Sequence, residues 1–566
     1  MKKIYFAFFL PAVFLTLPLF VFAQAKSYNR ARSYDVQHYT IRLSFDPATK
    51  TVFGDTTVQL KPLKNNFSTV TLDAVGMKYE SVRLENPGAG GGGKNLKYRQ
   101  LGEKITVTLD KSYAPEELIS IRFKYSCRPA KGIYFVPAGK EHSAQIWTQG
   151  EPEEAHHWFP SYDFPDDKAT TEQFLTVKSD ETAVANGELL GTEQNPNGTK
   201  TVHYKMSMPH SVYLTSFVIG KYVKIEDQYK DVPLGYYVYP GTESIVPKAY
   251  GKTKEMFRVF EQLTGIDYPY NKYDQTIVAS FTFGGMENIT ATTMADTEIF
   301  GVEILPGAVE DLVSHELAHS WFGNLVTCRN WAELWLNEGF ATFMEAAWRE
   351  RAYGRDDYLR KIREDADRFL AEDSVSRPGR RHGLFNQLAR PDETIFDTTT
   401  YQKGGAVVHT LREEVGDENF WKAVNIYLNR HKFANVETPD LKRAMEEAAG
   451  RDLTWFFNQW VYKAGYPKIE VRTTYDARAN RLNLAVAQAQ TPDAVTPSAF
   501  VLPVEVEIET TGETKREKIR IDKRAQNFSI SIAARPTKIN FDPDLKVPLK
   551  TVKMLPIAAA AAASAR

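Results

Sequence analysis

Val309–Glu345 reads VEDLVSHELAHSWFGNLVTCRNWAELWLNEGFATFME. His315 and His319 are four positions apart, so on a helix their imidazoles leave from one face and can meet at one point. Glu338 follows nineteen positions after His319 and opens a second apolar, helix-prone run, Asn337–Trp348. Two such helices packed together bring its carboxylate to the same point. Two imidazoles and one carboxylate make a three-ligand zinc set with the fourth position open to water. Glu316 lies between the histidines in sequence but is rotated off their face. It therefore stands beside that water, where a general base is needed. The competing account, a helix whose histidines only satisfy core hydrogen bonds, gives Glu338 no role. The stretch reads as a hydrolytic site for one Zn2+ per chain.

Outward from it, 566 residues are too many for one core and divide into three or four domains. A hydrophobic fraction of 43% and an aromatic fraction of 12% describe packed globular units. The net charge of −1 gives no basic surface for nucleic acid. Lys2 and Lys3 precede an apolar run, Ile4–Ala23, that leaves through Ala23-Gln24-Ala25, the plan of a secretory leader over residues 1–25. Pro11, Pro18 and the small-residue exit favour cleavage over an uncleaved anchor. The chain is thus expected to be exported, periplasmic or secreted, with no stable membrane partner after cleavage. Cys127 and Cys328 alone supply no disulfide framework.

The mature chain predicts a β domain over 26–230. Tyr39–Phe45, Thr57–Leu60, Ile105–Leu109 and Ile119–Phe123 alternate apolar and polar residues there. The glycine run Gly88–Gly93 precedes Lys94-Asn95 with no helix behind it, so it reads as a hairpin loop and not a phosphate cradle. A largely helical domain follows over 231–465, with helices at Met256–Leu263, the His315 stretch, Asn337–Trp348, Thr400–Val415, Phe420–Arg430, Leu441–Ala449 and Thr454–Val461. Thr438 reads as the N-cap of the Leu441 helix, with Pro439 at its first position. Beyond Gly465-Tyr466-Pro467, alternation at Leu482, Leu484, Val486 and at Val504, Val506, Ile508 predicts a β-sandwich over 466–550, and 551–566 reads as a tail.

Three further stretches have bland readings when taken singly: Phe283-Gly284-Gly285-Met286-Glu287-Asn288, Thr148-Gln149-Gly150-Glu151 and Thr400-Tyr401-Gln402-Lys403-Gly404. Together with HELAHSWFGN and WLNEGFAT they resemble the zinc aminopeptidase family of aminopeptidase N and the leukotriene hydrolases, whose ligands follow an HExxH-x18-E spacing with GxMEN upstream. The resemblance covers nearly the whole mature chain. It implies a multidomain α+β protein: an N-terminal β saddle domain, a thermolysin-like zinc catalytic domain and a C-terminal β-sandwich. The helical fourth domain of many relatives is not expected beyond it.

The resemblance also implies roles. His315, His319 and Glu338 hold zinc, Glu316 is the general base, and Tyr401 at the family's tyrosine position donates a hydrogen bond to the oxyanion. An aminopeptidase must receive a free α-ammonium near a dication, and carboxylates are the groups that do this. Glu287 and Glu151 fit that need, with Gln149 in the same stretch and Met286 and Asn288 completing the GGMEN segment. Gly284 and Gly285 leave room for substrate backbone; many relatives have alanine second in this motif. The expected substrates are peptides with a free N-terminus. A thermolysin-like endopeptidase and an epoxide hydrolase on the same metal remain alternatives.

Overall fold

A computed structural model describes residues 29–85, 93–375, 380–386, 389–555 and the backbone of 558–559. The leader, and the glycine run apart from Gly93, lie outside the described residues.

Alternating side chains bury one face of an eight-stranded sheet in the N-terminal unit. Tyr34–Asp46 lies at its middle, antiparallel to Thr51–Pro62 and parallel to Lys168–Lys178. Lys104–Tyr113 joins a separate three-stranded sheet, between Phe67–Asp73 and Lys97–Leu101. A four-stranded sheet of Thr182–Ala185, Phe217–Gly220, Gln145–Thr148 and Ile133–Val136 reaches toward the catalytic unit. There Trp147 Nε1 donates to the Ala279 carbonyl at 3.1 Å, and the Gln145 side-chain oxygen accepts from the Ala279 N–H at 3.0 Å. That seam carries the loop with Gln149 and Glu151 into the neighbouring unit.

The boundary expected at 230/231 falls inside a hairpin. Val223–Tyr229 pairs with Val232–Val238, which runs parallel to Tyr273–Val278 in a five-stranded sheet. The sheet of the catalytic unit therefore already includes Val223. Its sheet ends in Ala291–Ala295 and, at the edge, Gly285–Met286. The longer helices are α1 (Thr253–Thr264), α2 (Pro306–Ala318), α3 (Trp335–Tyr353), α4 (Arg355–Val375), α5 (Gly404–Val415), α6 (Asp417–Arg430), α7 (Thr438–Ala449) and α8 (Thr454–Trp460). Sequence reading did not predict α4. Its buried stripe, Tyr358, Lys361, Ile362, Asp365, Ala366, Phe369 and Asp373, keeps helical spacing but has three charged residues in it. At α7 the cap is Glu437, which exchanges hydrogen bonds with Asp440. The Thr438 hydroxyl instead donates to Glu333 at 2.6 Å.

The C-terminal unit packs a five-stranded sheet and a three-stranded sheet around Val471, Leu482, Leu484, Val504, Val506 and Ile521. Thr551–Met554, expected to begin a tail, is a strand of this unit, parallel to Lys468–Asp476. Its backbone would otherwise leave the ladder of that strand unpaired. Backbone pairing continues between Ala558–Ala559 and Thr474–Tyr475. Both cysteines are free and buried.

One contact sets the distance between the two halves of the site. Helix α3 carries Glu338, and α5 follows directly on the widened, π-type helical turn Thr399–Lys403 that carries Tyr401. The two helices touch backbone to backbone: a Cβ on Gly404 would lie 2.7 Å from the Gly339 Cα. Neither side can yield, because no flexible side chain is involved. Gly404→Ala is expected to cost about 1–3 kcal/mol, read as a lower urea midpoint at unchanged slope. An unchanged midpoint would mean the helices have slack there.

Candidate metal centre and active site

The HELAH segment folds as the last turn of α2, with Pro306 at its start, and His319 is the residue that ends it. All four reactive side chains here are buried: His315, Glu316, His319 and, from the first turn of α3, Glu338. The imidazole Nε2 atoms of His315 and His319 lie 3.3 and 3.4 Å from the same oxygen, Glu338 Oε2. Each Nδ1 is already engaged: that of His315 with Glu345 Oε1 at 2.7 Å, that of His319 with the Phe322 carbonyl at 2.9 Å. Both partners are acceptors, so each Nδ1 carries a hydrogen and each Nε2 is the ring atom turned toward the Glu338 carboxylate. A cation that displaces the Nε2 protons would find two ring lone pairs and a carboxylate oxygen turned to one point. The three ligand atoms lie within 4.8 Å of one another, which suits a divalent metal held by nitrogen and oxygen donors.

The electrostatics carry the same demand. Although burial opposes it, the two imidazoles pull the Glu338 carboxyl down to about 2. Burial alone would lower His315, but hydrogen bonds to Glu338 and Glu345 bring it up to about 9. Burial pushes Glu316 up to about 8, with the histidines pulling against it and Glu287 and Glu338 adding to it. Burial, then Glu287 and Glu338, drive Glu151 well above the carboxylate range. Glu287 is raised by burial and restrained by His319. In their charged form, so many buried carboxylates are stable together only where positive charge arrives.

Glu287 sits just past the edge strand Gly285–Met286, and Glu151 comes from the N-terminal unit. One oxygen of each, with one of Glu338, lies in a second cluster within 4.8 Å. Glu287 Oε1, Glu151 Oε1 and Gln149 Oε1 are buried without a hydrogen-bond partner among the described residues. The Gln149 amide nitrogen is spent on the Glu151 carbonyl at 3.4 Å and Met286 Sδ at 3.2 Å, so the unpaired oxygen is the end left to act. Tyr401 lies beside His315, rings nearly parallel with centroids 5.9 Å apart. Burial and the four glutamates raise its hydroxyl well above the usual tyrosine range, which keeps the proton on it.

These residues share a cleft of about 720 Å³. Gln149, Glu151, Gly284, Gly285, Met286, Glu287 and Tyr401 line it together with the metal cluster and Glu316. Asn288 does not. Its amide turns into the fold and donates to Thr293 Oγ1 at 3.1 Å, so it braces the turn after GGMEN instead of facing a ligand. Gly285 has a different task from the one expected: a Cβ there would lie 2.2 Å from Glu316 Oε1, so the missing side chain makes room for that carboxylate. Sequence reading missed Glu345 and Lys361. Glu345 is seven positions after Glu338 and so shares its helix face, a signal that was available.

Comparison with known proteins agrees with the geometry. Residues 248–460 match the peptidase family M1 domain, and residues 35–214 match the peptidase M1 N-terminal domain. "Probable aminopeptidase 2" of Sulfurisphaera tokodaii is 28% identical over 482 residues, 84% of this chain and 59% of that protein. "Aminopeptidase N" of Streptomyces lividans is 33% identical over 364 residues, 61% of this chain and 41% of that protein. "Aminopeptidase 2" of Candida albicans is 33% identical over 339 residues, 57% of this chain and 36% of that protein. The chain thus spans about half the length of the curated relatives it matches. The two matched segments follow one another as N-terminal and catalytic units, and the second contains the whole His315–His319–Glu338 cluster, so the chain belongs to the peptidase M1 family.

Proposed function

We propose that this chain is a zinc-dependent aminopeptidase that hydrolyses the first peptide bond of peptides with a free N-terminus. One juxtaposition carries the reading: buried, unpaired oxygens of Glu287 and Glu151 beside a metal-ligand set. An endopeptidase has no use for buried negative charge at that spot, since a continuing peptide chain brings no ammonium to offset its desolvation. The aminopeptidase names of the relatives point the same way.

His315, His319 and Glu338 are the residues that would hold the zinc. When bound, the ion supplies Lewis acidity that polarises the scissile carbonyl and makes water acidic near neutral pH. Glu316 takes the proton of the attacking water and delivers it to the leaving amine; burial raises its proton affinity, the direction a base working near neutrality requires. Tyr401, held protonated, donates to the oxygen on which negative charge develops. Glu287 and Glu151 receive the α-ammonium, and Gln149 Oε1 accepts one of its hydrogens. In this reading a single residue spans the gap from the held amine to the cleaved bond. The Lys2–Ala25 leader, in this reading, sends the enzyme out of the cytoplasm, where its partners are peptides and not nucleic acid.

A panel of aminoacyl fluorogenic amides tests the proposal. Hydrolysis is expected to vanish in o-phenanthroline and to return on adding zinc. Turnover that survives complete removal of metal would overturn it.

A further inference from the structure

Helix α4 brings a lysine into the stripe that packs on α3, at a position where helical periodicity calls for an apolar residue. Lys361 is 7% exposed. Its ammonium lies 2.7 Å from Glu345 Oε2 and 2.8 Å from both oxygens of Asp365. Glu345 Oε1, the other oxygen of that carboxylate, holds His315 Nδ1 at 2.7 Å. A chain of hydrogen bonds therefore runs Asp365–Lys361–Glu345–His315 and ends on a ring whose Nε2 faces Glu338. Burying an ammonium and two carboxylates is costly, and apolar residues of similar size in their place are often neutral or better for stability. The position is thus poorly explained by folding alone.

The two histidines are fixed differently. His319 is held by a carbonyl of its own chain turn, Phe322. The hydrogen bond that orients His315 comes from a side chain on α3, and the far oxygen of that side chain is anchored by α4. We propose that Lys361 is a positioning residue for the metal centre: by pinning Glu345, it sets the orientation and donor strength of His315. The inference rests on the zinc reading above. Outer-sphere partners of this kind typically change metal affinity by about 10- to 100-fold.

The test is zinc affinity of the full-length protein, by competition with a chromogenic chelator, measured without substrate. Lys361→Met keeps length and removes charge, and is expected to weaken zinc binding by about tenfold or more, with KM for an aminoacyl amide little changed and kcat recovering at saturating zinc. Lys361→Arg, which can still bridge Glu345 and Asp365, is expected to restore most of the affinity. A folded Lys361→Met protein that binds zinc within about twofold of wild type, whatever its melting temperature, overturns the proposal. If that variant does not fold, Glu345→Gln decides: it keeps shape and an acceptor for His315 but loses the charge Lys361 grips. Zinc binding by Glu345→Gln weakened about tenfold supports the proposal, and wild-type affinity overturns it. A wild-type chain that takes up no zinc would sink the zinc reading itself, a distinct result.

Discussion

Glu316→Gln is expected to lower kcat by about a thousandfold, roughly 4 kcal/mol of transition-state stabilisation, with zinc content and KM nearly unchanged. The amide fills the same volume beside Gly285, so the fold and the His315–His319–Glu338 set are undisturbed. What is lost is a basic oxygen. Glu316 Oε2 is buried and has no partner among the described residues, so it is free to take a proton, and an amide cannot take one. The nearest rivals are Glu287, which has an oxygen within 4.8 Å of one on Glu316, and Glu151, and the proposed function assigns both to the substrate's amine. Metal analysis alongside single-turnover rates separates the outcomes. Retained zinc with lost turnover is the expected pair, whereas a kcat within about threefold of wild type would take the proton-transfer role away from Glu316.

Glu287→Ala is expected to lower kcat/KM for free peptides by about a hundredfold while leaving N-acetylated peptides at their low rate. The discrimination between the two therefore collapses toward one. The loss stops short of complete because Glu151 stays in place. Burial and Glu287 are the two largest influences raising the Glu151 carboxyl, so removing Glu287 also makes Glu151 a better partner for the ammonium. His319 Nδ1 lies 4.0 Å from Glu287 Oε1, and zinc content must therefore be shown to be unaltered in this variant. A variant with an unchanged ratio would remove the amine-binding role from Glu287.

The clustering of His315, His319 and Glu338 was legible in sequence because a helix converts a spacing of four into a shared face, and Glu338 opened the next amphipathic run. Glu151, Glu287 and Tyr401 were legible only through resemblance to a family. No periodicity links a loop in the N-terminal β unit to a helix far along the chain, and contacts between the units, among them Trp147–Ala279 and Asn186–Ile289, bring them together. The misplaced boundary at 230/231 has a local cause. The hairpin of Val223–Tyr229 and Val232–Val238 alternates like the strands before it, and its allegiance is decided by parallel pairing with Tyr273–Val278. Helix α4 was hidden because Lys361 and Asp365 interrupt its apolar stripe, and they do so to reach Glu345. Asn288 was overread because its place in GGMEN says nothing of where its side chain turns; its hydrogen bond to Thr293 does.

The central claim is that buried carboxylates, and not the metal, decide where along a peptide this protein cuts. Its most direct measurement is kcat/KM of the zinc-loaded wild-type chain on two peptides that differ only in N-terminal acetylation. The account predicts that the free peptide is cleaved at its first bond, about a hundredfold or more faster than the blocked one. Equal rates for the two, or cleavage at internal bonds of the blocked peptide, would contradict it.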